Sequence, residues 1–306
     1  MTHPYRTHLT YAIPLTVVAA VFCWMFVGSF TGQVFVLLLF AGLVGLPHGL
    51  TDFSVLSRVA SHLTPVADSA KAKQFLVGVV LYLLVMLAFL LLWLVAPVPA
   101  LLIFLTLSGH HFGTQDAKAL GLTGLRYVMF ACQRGTMVIV LPFVFHGETA
   151  QIFNVLVGQP FFHAPQPDLL VVMLVVLYIM PVGGLKNPPA FLEQLLLLGV
   201  YLTLPPLLSF TLYFCVWHTP RHYIEEWPVI QRYAGVIKPQ PMLAALLAFA
   251  LVGGGICGAG MFAKAHPEVA MQVFFITVAC LTAAHVLFTE VAARMSGGES
   301  VGQNKL

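Results

Sequence analysis

Charge is what this sequence has least of. Asp, Glu, Lys and Arg together make up 8% of its 306 residues, and 59% are hydrophobic. A soluble domain carries roughly 25% charged residues, so a water-facing surface of this size is excluded. The net charge is +3 and the basic residues are scattered, so no basic patch speaks for a nucleic-acid partner. Cysteine is also scarce. Cys23, Cys132, Cys215, Cys257 and Cys280 are odd in number, lie in or beside apolar runs and form no C-x-x-C pair. That argues against both a disulfide framework and a thiolate zinc site.

Long apolar runs are abundant. A bilayer-crossing helix needs about 20 mostly apolar residues, and in lipid its backbone groups must be satisfied internally. The expected fold is therefore all-α: a polytopic transmembrane helix bundle of about 8–10 spans. Ten candidate spans fall near 11–30, 33–50, 75–95, 100–112, 127–145, 169–182, 190–204, 206–222, 242–262 and 269–290. The fourth, sixth and seventh are short, and read as re-entrant or partly wrapped segments. The first run is expected to be a retained span, since it lacks a small-residue cleavage site. Residues 1–306 form one integral-membrane domain, with a core over 11–290 and short polar termini. The longest hydrophilic connections lie near 58–74 and 146–168.

Lys and Arg set the orientation. With the N-terminus in the cytoplasm, the basic residues collect at inner ends, Lys264 is clearly outside, and Arg134 is ambiguous, its position overlapping the fifth candidate span. The expected location is the cell (inner, cytoplasmic) membrane, with both termini inside.

Twelve histidines fall on this map. His48 ends the second span, His110 and His111 end the fourth, His218 and His222 end the eighth, and His285 lies near the end of the tenth. All four spans run inward, so four helices bring imidazole to one depth near the cytoplasmic face. Imidazole is a good neutral ligand for iron, copper and zinc. His218 and His222 are four apart and share a helical face, with Pro220 between them able to kink or end the helix. Asp52 and Asp116 follow His48 and His111 in a repeated Gly-x-x-Asp pattern. Such a carboxylate can accept a ligand histidine's second N–H, and Glu290 is placed to do the same near His285. A lone histidine at a helix end is usually just hydrogen-bonded at the interface. Four at one depth, where polar groups are costly, favour a metal site. His3, His8 and His62 are expected to be solvated or at headgroups. His146, His163 and His266 belong to the outer side, His146 with scope for a structural hydrogen bond.

Three segments carry a resemblance: Pro47-His48-Gly49-x-x-Asp52, His111-Phe112-Gly113-x-x-Asp116 and Trp217-His218-x-x-Arg221-His222. In this order, over about 40–290, the chain resembles the bacteriorhodopsin-related-protein-like (Brp/Blh) family of membrane β-carotene 15,15′-dioxygenases. The resemblance implies non-haem Fe(2+) held by His48, His111, His218 and His222, and cleavage of β-carotene by O2 into two retinals. Asp52, Asp116, His110, His285, Glu290 and Arg221 would be supporting neighbours. No catalytic side chain beyond the metal centre is expected. The implied partners are β-carotene, the lipid bilayer and a rhodopsin that could receive the retinal. The sequence departs from the family pattern at Thr219-Pro220, at the extra His110, and at Ala284-His285 where the family has proline before histidine.

Three other readings remain open at this stage. A di-iron desaturase- or hydroxylase-like enzyme acting on a lipid would need more histidine clusters. A transporter or permease would place polar groups at several depths. A non-catalytic carotenoid- or retinal-binding protein would be expected to lose the ligand set.

Overall fold

The computed structural model describes residues 3–45, 52, 55, 59, 71–164, 188–225 and 264–303. Helices dominate these residues and no strand occurs among them. In chain order they are α1 (His3–Trp24), α2 (Phe30–Phe40), α3 (Lys71–Val95), α4 (Pro97–Ala119), α5 (Gly124–Phe145), α6 (Glu148–Val157), α7 (Pro188–Thr203), α8 (Pro206–Leu212) and α9 (Pro267–Gln303). Two π-helical segments extend α2 and α8, over Ala41–Gly45 and Tyr213–His218. The second continues as a helix through residue 225. The expected spans near 169–182 and 242–262 lie outside the described residues, and so do His48 and His62.

Helix boundaries follow local chemistry. Ser29 caps α2, its hydroxyl accepting from the Gly32 N–H at 3.1 Å. Prolines open α4 and α8 at their first turns, where the missing N–H costs nothing. Two spans were expected too short. The fourth runs the full 23 residues of α4, because its second half is polar yet still helical. The tenth is part of the 37-residue α9. The 146–168 connection also differs from expectation, since it contains α6. That helix buries Thr149, Ala150, Ile152, Leu156 and Val157. Two side chains from other helices seize its carbonyls: Trp93 Nε1 reaches Leu156 O at 3.4 Å, and Gln272 Nε2 reaches Val155 O at 3.0 Å.

Leu76–Val95, Gly124–Val144 and Pro267–Ala292 are long and apolar enough to cross a membrane. About 22% of the first is buried, against 50% of the other two. The exposed face of α3 is built from Leu83, Leu84, Leu87, Leu91 and Leu94. Such a surface suits a bilayer.

Apolar burial gives little drive between helices in lipid, so close packing and polar contacts must hold them together. The closest approach joins α4 to α5. Gly109 and Gly113, four apart on α4, lie against Gly135 and Ala131, four apart on α5. A Cβ at Gly113 would overlap the Ala131 carbonyl, and one at Gly135 would overlap the Gly109 carbonyl. This pair of small-x-x-x-small seams sets His111, which lies between the two α4 glycines, at a fixed height against α5.

Candidate metal centre

Four histidine rings meet inside the bundle. His111 comes from α4, His218 from the last π-helical residue, His222 from the turn after it, and His285 from α9. The His111 ring centroid lies 4.7 Å from that of His285, 5.2 Å from His218 and 6.5 Å from His222. His222 and His285 are 5.2 Å apart. All four are buried. Their meeting brings α4, the end of α8 and the middle of α9 together at one level of the bundle.

The π-helical segment shapes this cluster. Pro220 has no N–H, so it cannot bond the Val216 carbonyl four residues back, as an α-helix would require. That carbonyl has a partner from another helix: His8 Nε2 lies 3.1 Å from Val216 O. His8 also stands edge-on to Trp217, whose Nε1 donates to Thr16 Oγ1 at 2.9 Å. The expectation of a solvated His8 is therefore corrected: it is buried, because a proline elsewhere left a carbonyl to satisfy. The helix continues through Pro220 to residue 225. The His218 and His222 rings lie 6.4 Å apart and 24° from parallel, sharing one face.

Neighbouring polar groups orient the rings. Asp52 Oδ1 accepts from His285 Nδ1 at 2.5 Å, and Asp52 Oδ2 accepts from the Tyr82 hydroxyl at 2.6 Å. The Gln115 side-chain amide lies 3.1 Å from His222 Nδ1. The two ends of such an amide are alike in shape and assigned by their partners. As placed, Nε2 faces the ring and Oε1 has no partner among the described residues; turned over, Gln115 would accept the Nδ1–H. His222 Nε2 then keeps its lone pair.

Do these residues fit a metal ion? Nε2 of His111 and Nε2 of His285 are 3.3 Å apart. Two imidazole nitrogens bound to one metal at about 2.0–2.1 Å stand that far apart at an angle of roughly 107°. Neutral imidazole suits iron, copper and zinc alike. Among the described residues no three histidine, cysteine or carboxylate groups stand together at ligand spacing. The fit therefore rests on this pair and on the surrounding rings.

Directly beside the histidines lies a second polar layer. Arg134 Nε pairs with Asp116 Oδ2 at 3.1 Å and its guanidinium also pairs with Glu193. Arg221 pairs with Asp116 Oδ1 at 2.9 Å and with Glu193 Oε2 at 2.6 Å. The Tyr213 hydroxyl donates to Asp116 Oδ2 at 3.1 Å. Two cations and two anions alternate, and all four side chains are 0–3% exposed. Asp116 was expected beside His111; in the structure its partners are these arginines and Tyr213. The carboxylate points across the α4–α5 seam, where the glycines bring Arg134 within reach. Glu290 was expected at His285. It stands instead 3.7 Å from His110, both about half exposed. Arg221 is a supporting neighbour in the sense that it ties the turn between His218 and His222 to the charge layer. His146 reaches Tyr201 O at 2.8 Å, the structural bond allowed for it.

Sequence reading missed Gln115, Tyr82, Glu193 and the burial of Arg134. An isolated Glu in a leucine-rich stretch (Phe191-Leu192-Glu193-Gln194-Leu195) was a usable signal, since a carboxylate amid leucines must find a cation.

The histidines border an apolar cavity of about 490 Å³. His111, His218, His285, Asp52 and Tyr82 line one end, and Phe104, Phe210, Phe275 and Val278 line its walls. It extends to Thr149, Ile152 and Phe153 on α6 and to Phe274 on α9. From Phe274 to His285 is about 16 Å at 1.5 Å per helical residue. Leu83, more than half exposed on α3, also lines it, so the cavity reaches the flank of the bundle.

A family profile described as β-carotene 15,15′-dioxygenase matches residues 39–292. The chain belongs to this family. It is 29% identical over 267 residues to the β-carotene 15,15′-dioxygenase of uncultured marine bacterium 66A03, covering 82% of this chain and 90% of that relative. It is 23% identical over 289 residues to "Probable beta-carotene 15,15'-dioxygenase Blh" of Halobacterium salinarum, covering 83% and 82%. No solved structure matches it significantly.

Proposed function

We propose that this family member is an iron-dependent membrane dioxygenase. It cleaves the central 15,15′ double bond of β-carotene with O2, and each carbon of that bond leaves as a retinal aldehyde carrying one oxygen atom. The observation that carries this reading is a buried histidine cluster opening onto a long apolar cavity, in a chain whose relatives bear that name. His48, His111, His218 and His222 would hold Fe(2+), which supplies the O2-activating redox chemistry. The chain's own part is binding, orientation and exclusion of water. Phe104, Phe210, Phe275 and Val278 clasp a flat hydrocarbon. Gln115 holds His222 in one tautomer. Leu83 at the flank suits uptake of a lipid-dissolved polyene sideways from the bilayer, and retinal leaves to lipid or to a rhodopsin by the same apolar route.

Expression in bacteria that accumulate β-carotene tests this. Cells carrying the chain should lose their orange colour and yield retinal on extraction. Cells that stay orange with folded protein in the membrane would overturn the assignment. We also propose that the metal centre and termini face the cytoplasm, the reading that the distribution of Lys and Arg supports. In intact cells, Ser69→Cys and Gln231→Cys should be shielded from an impermeant thiol reagent and Gln159→Cys should react. The reverse pattern would invert the map.

A further inference from the structure

We propose that His285 is itself a metal ligand, and that Asp52, braced by Tyr82, is the residue that aims it. The proposal rests on the reading of the histidine cluster as a metal centre and extends the ligand set beyond the three family motifs.

Asp52 as a carboxylate only accepts hydrogen bonds. Its Oδ1 at 2.5 Å from His285 Nδ1 therefore fixes the ring proton on Nδ1 and leaves a lone pair on Nε2. That nitrogen faces His111 Nε2 at 3.3 Å across the end of the cavity. A plain N–H···N bond between the two rings is the competing account. Such a bond prefers a straight approach, which would separate the centroids by the nitrogen distance plus nearly a whole ring diameter. The centroids are only 4.7 Å apart, with the rings at 90°. The contact is therefore bent well away from a straight N–H···N bond, with the two nitrogens close enough to share a partner. A histidine whose far nitrogen is held by a carboxylate is the usual arrangement of a metal-ligating imidazole. Tyr82 completes the chain by donating to the other Asp52 oxygen at 2.6 Å and touching Leu281 O at 3.4 Å, one turn before His285. Asp52 is thereby tied to the same stretch of α9 that carries the ligand, although the two residues are 233 apart in sequence.

Co(II) binding to the purified chain in detergent tests the proposal without relying on turnover. Visible d–d bands report the number and type of ligands. Wild type should bind one Co(II) per chain. His285→Gln, which keeps size and polarity, should bind at least tenfold more weakly with altered bands. Asp52→Asn should keep the band pattern but lose about 10–100-fold in affinity, the usual cost of removing a ligand's orienting partner. The double variant should bind no more weakly than His285→Gln alone, because Asp52 acts through that ring. A folded His285→Gln variant with wild-type bands and affinity would overturn the proposal while leaving a metal centre at the other histidines. A wild-type chain that binds neither Co(II) nor iron would overturn the metal reading and this proposal together.

Discussion

Two polar layers lie side by side in the bundle, and they are built on opposite principles. In the charge layer each ion meets two of opposite sign: Arg134 and Arg221 each pair with both Asp116 and Glu193. Its formal charge cancels within itself, and none of its four members lines the cavity. In the histidine layer nitrogen faces nitrogen, and three of its four rings line that cavity. A buried network that neutralises itself serves to hold helices together. One whose donor atoms converge on a shared space is built to receive something. The layers share helices, since His218, Arg221 and His222 lie on one stretch and His111 and Asp116 on another. The charge layer thus clamps the two segments that present three of the four rings.

Breaking each layer should separate their roles. The largest effect is expected for His218→Ala/His222→Ala, which should abolish retinal formation and bound iron while the protein still folds. Retained turnover would dissociate these rings from the reaction. Next comes Glu193→Gln in the charge layer. Removing one partner from a buried ion pair costs about 3–5 kcal/mol, so folded yield in detergent and thermal stability should fall sharply. An unchanged melting profile would show that the quartet is dispensable. Gln115→Leu is expected to cut activity about 10–100-fold, as loss of a ligand's hydrogen-bond partner commonly does, with the melting profile nearly unchanged. A large stability loss without an activity change would reverse that placement. The smallest effect is expected for His8→Phe. Leaving the Val216 carbonyl without its donor should cost about 1 kcal/mol, read as a modest drop in melting temperature, and should vanish when Pro220→Ala restores a backbone donor.

What was legible in the sequence was what repeats locally. Hydropathy carried the helical class, and the placing of histidine motifs at the ends of alternate candidate spans anticipated that His111, His218, His222 and His285 would come together. Contacts made across long sequence separations were not legible. Asp52 sits four residues from His48, and its bond to His285 has no local trace. Asp116 follows His111 closely, yet the turn of α4 and the glycine seam send it to Arg134. His8 looked like a headgroup residue because the carbonyl it satisfies was created by a proline more than 200 positions away. Short or polar segments also hid helix: the second half of α4 is too hydrophilic and the ten residues of α6 too few to read as spans, and tertiary burial decides them.

The central claim is that metal belongs to the histidine layer and not to the charge layer. Iron content of the folded, detergent-solubilised protein tests it most directly, measured side by side for wild type, His218→Ala/His222→Ala and the folded fraction of Glu193→Gln. One iron per chain in wild type and in Glu193→Gln, with almost none in the double histidine variant, is the expected result. Full iron in the histidine variant, or its loss only on Glu193→Gln, would contradict the account.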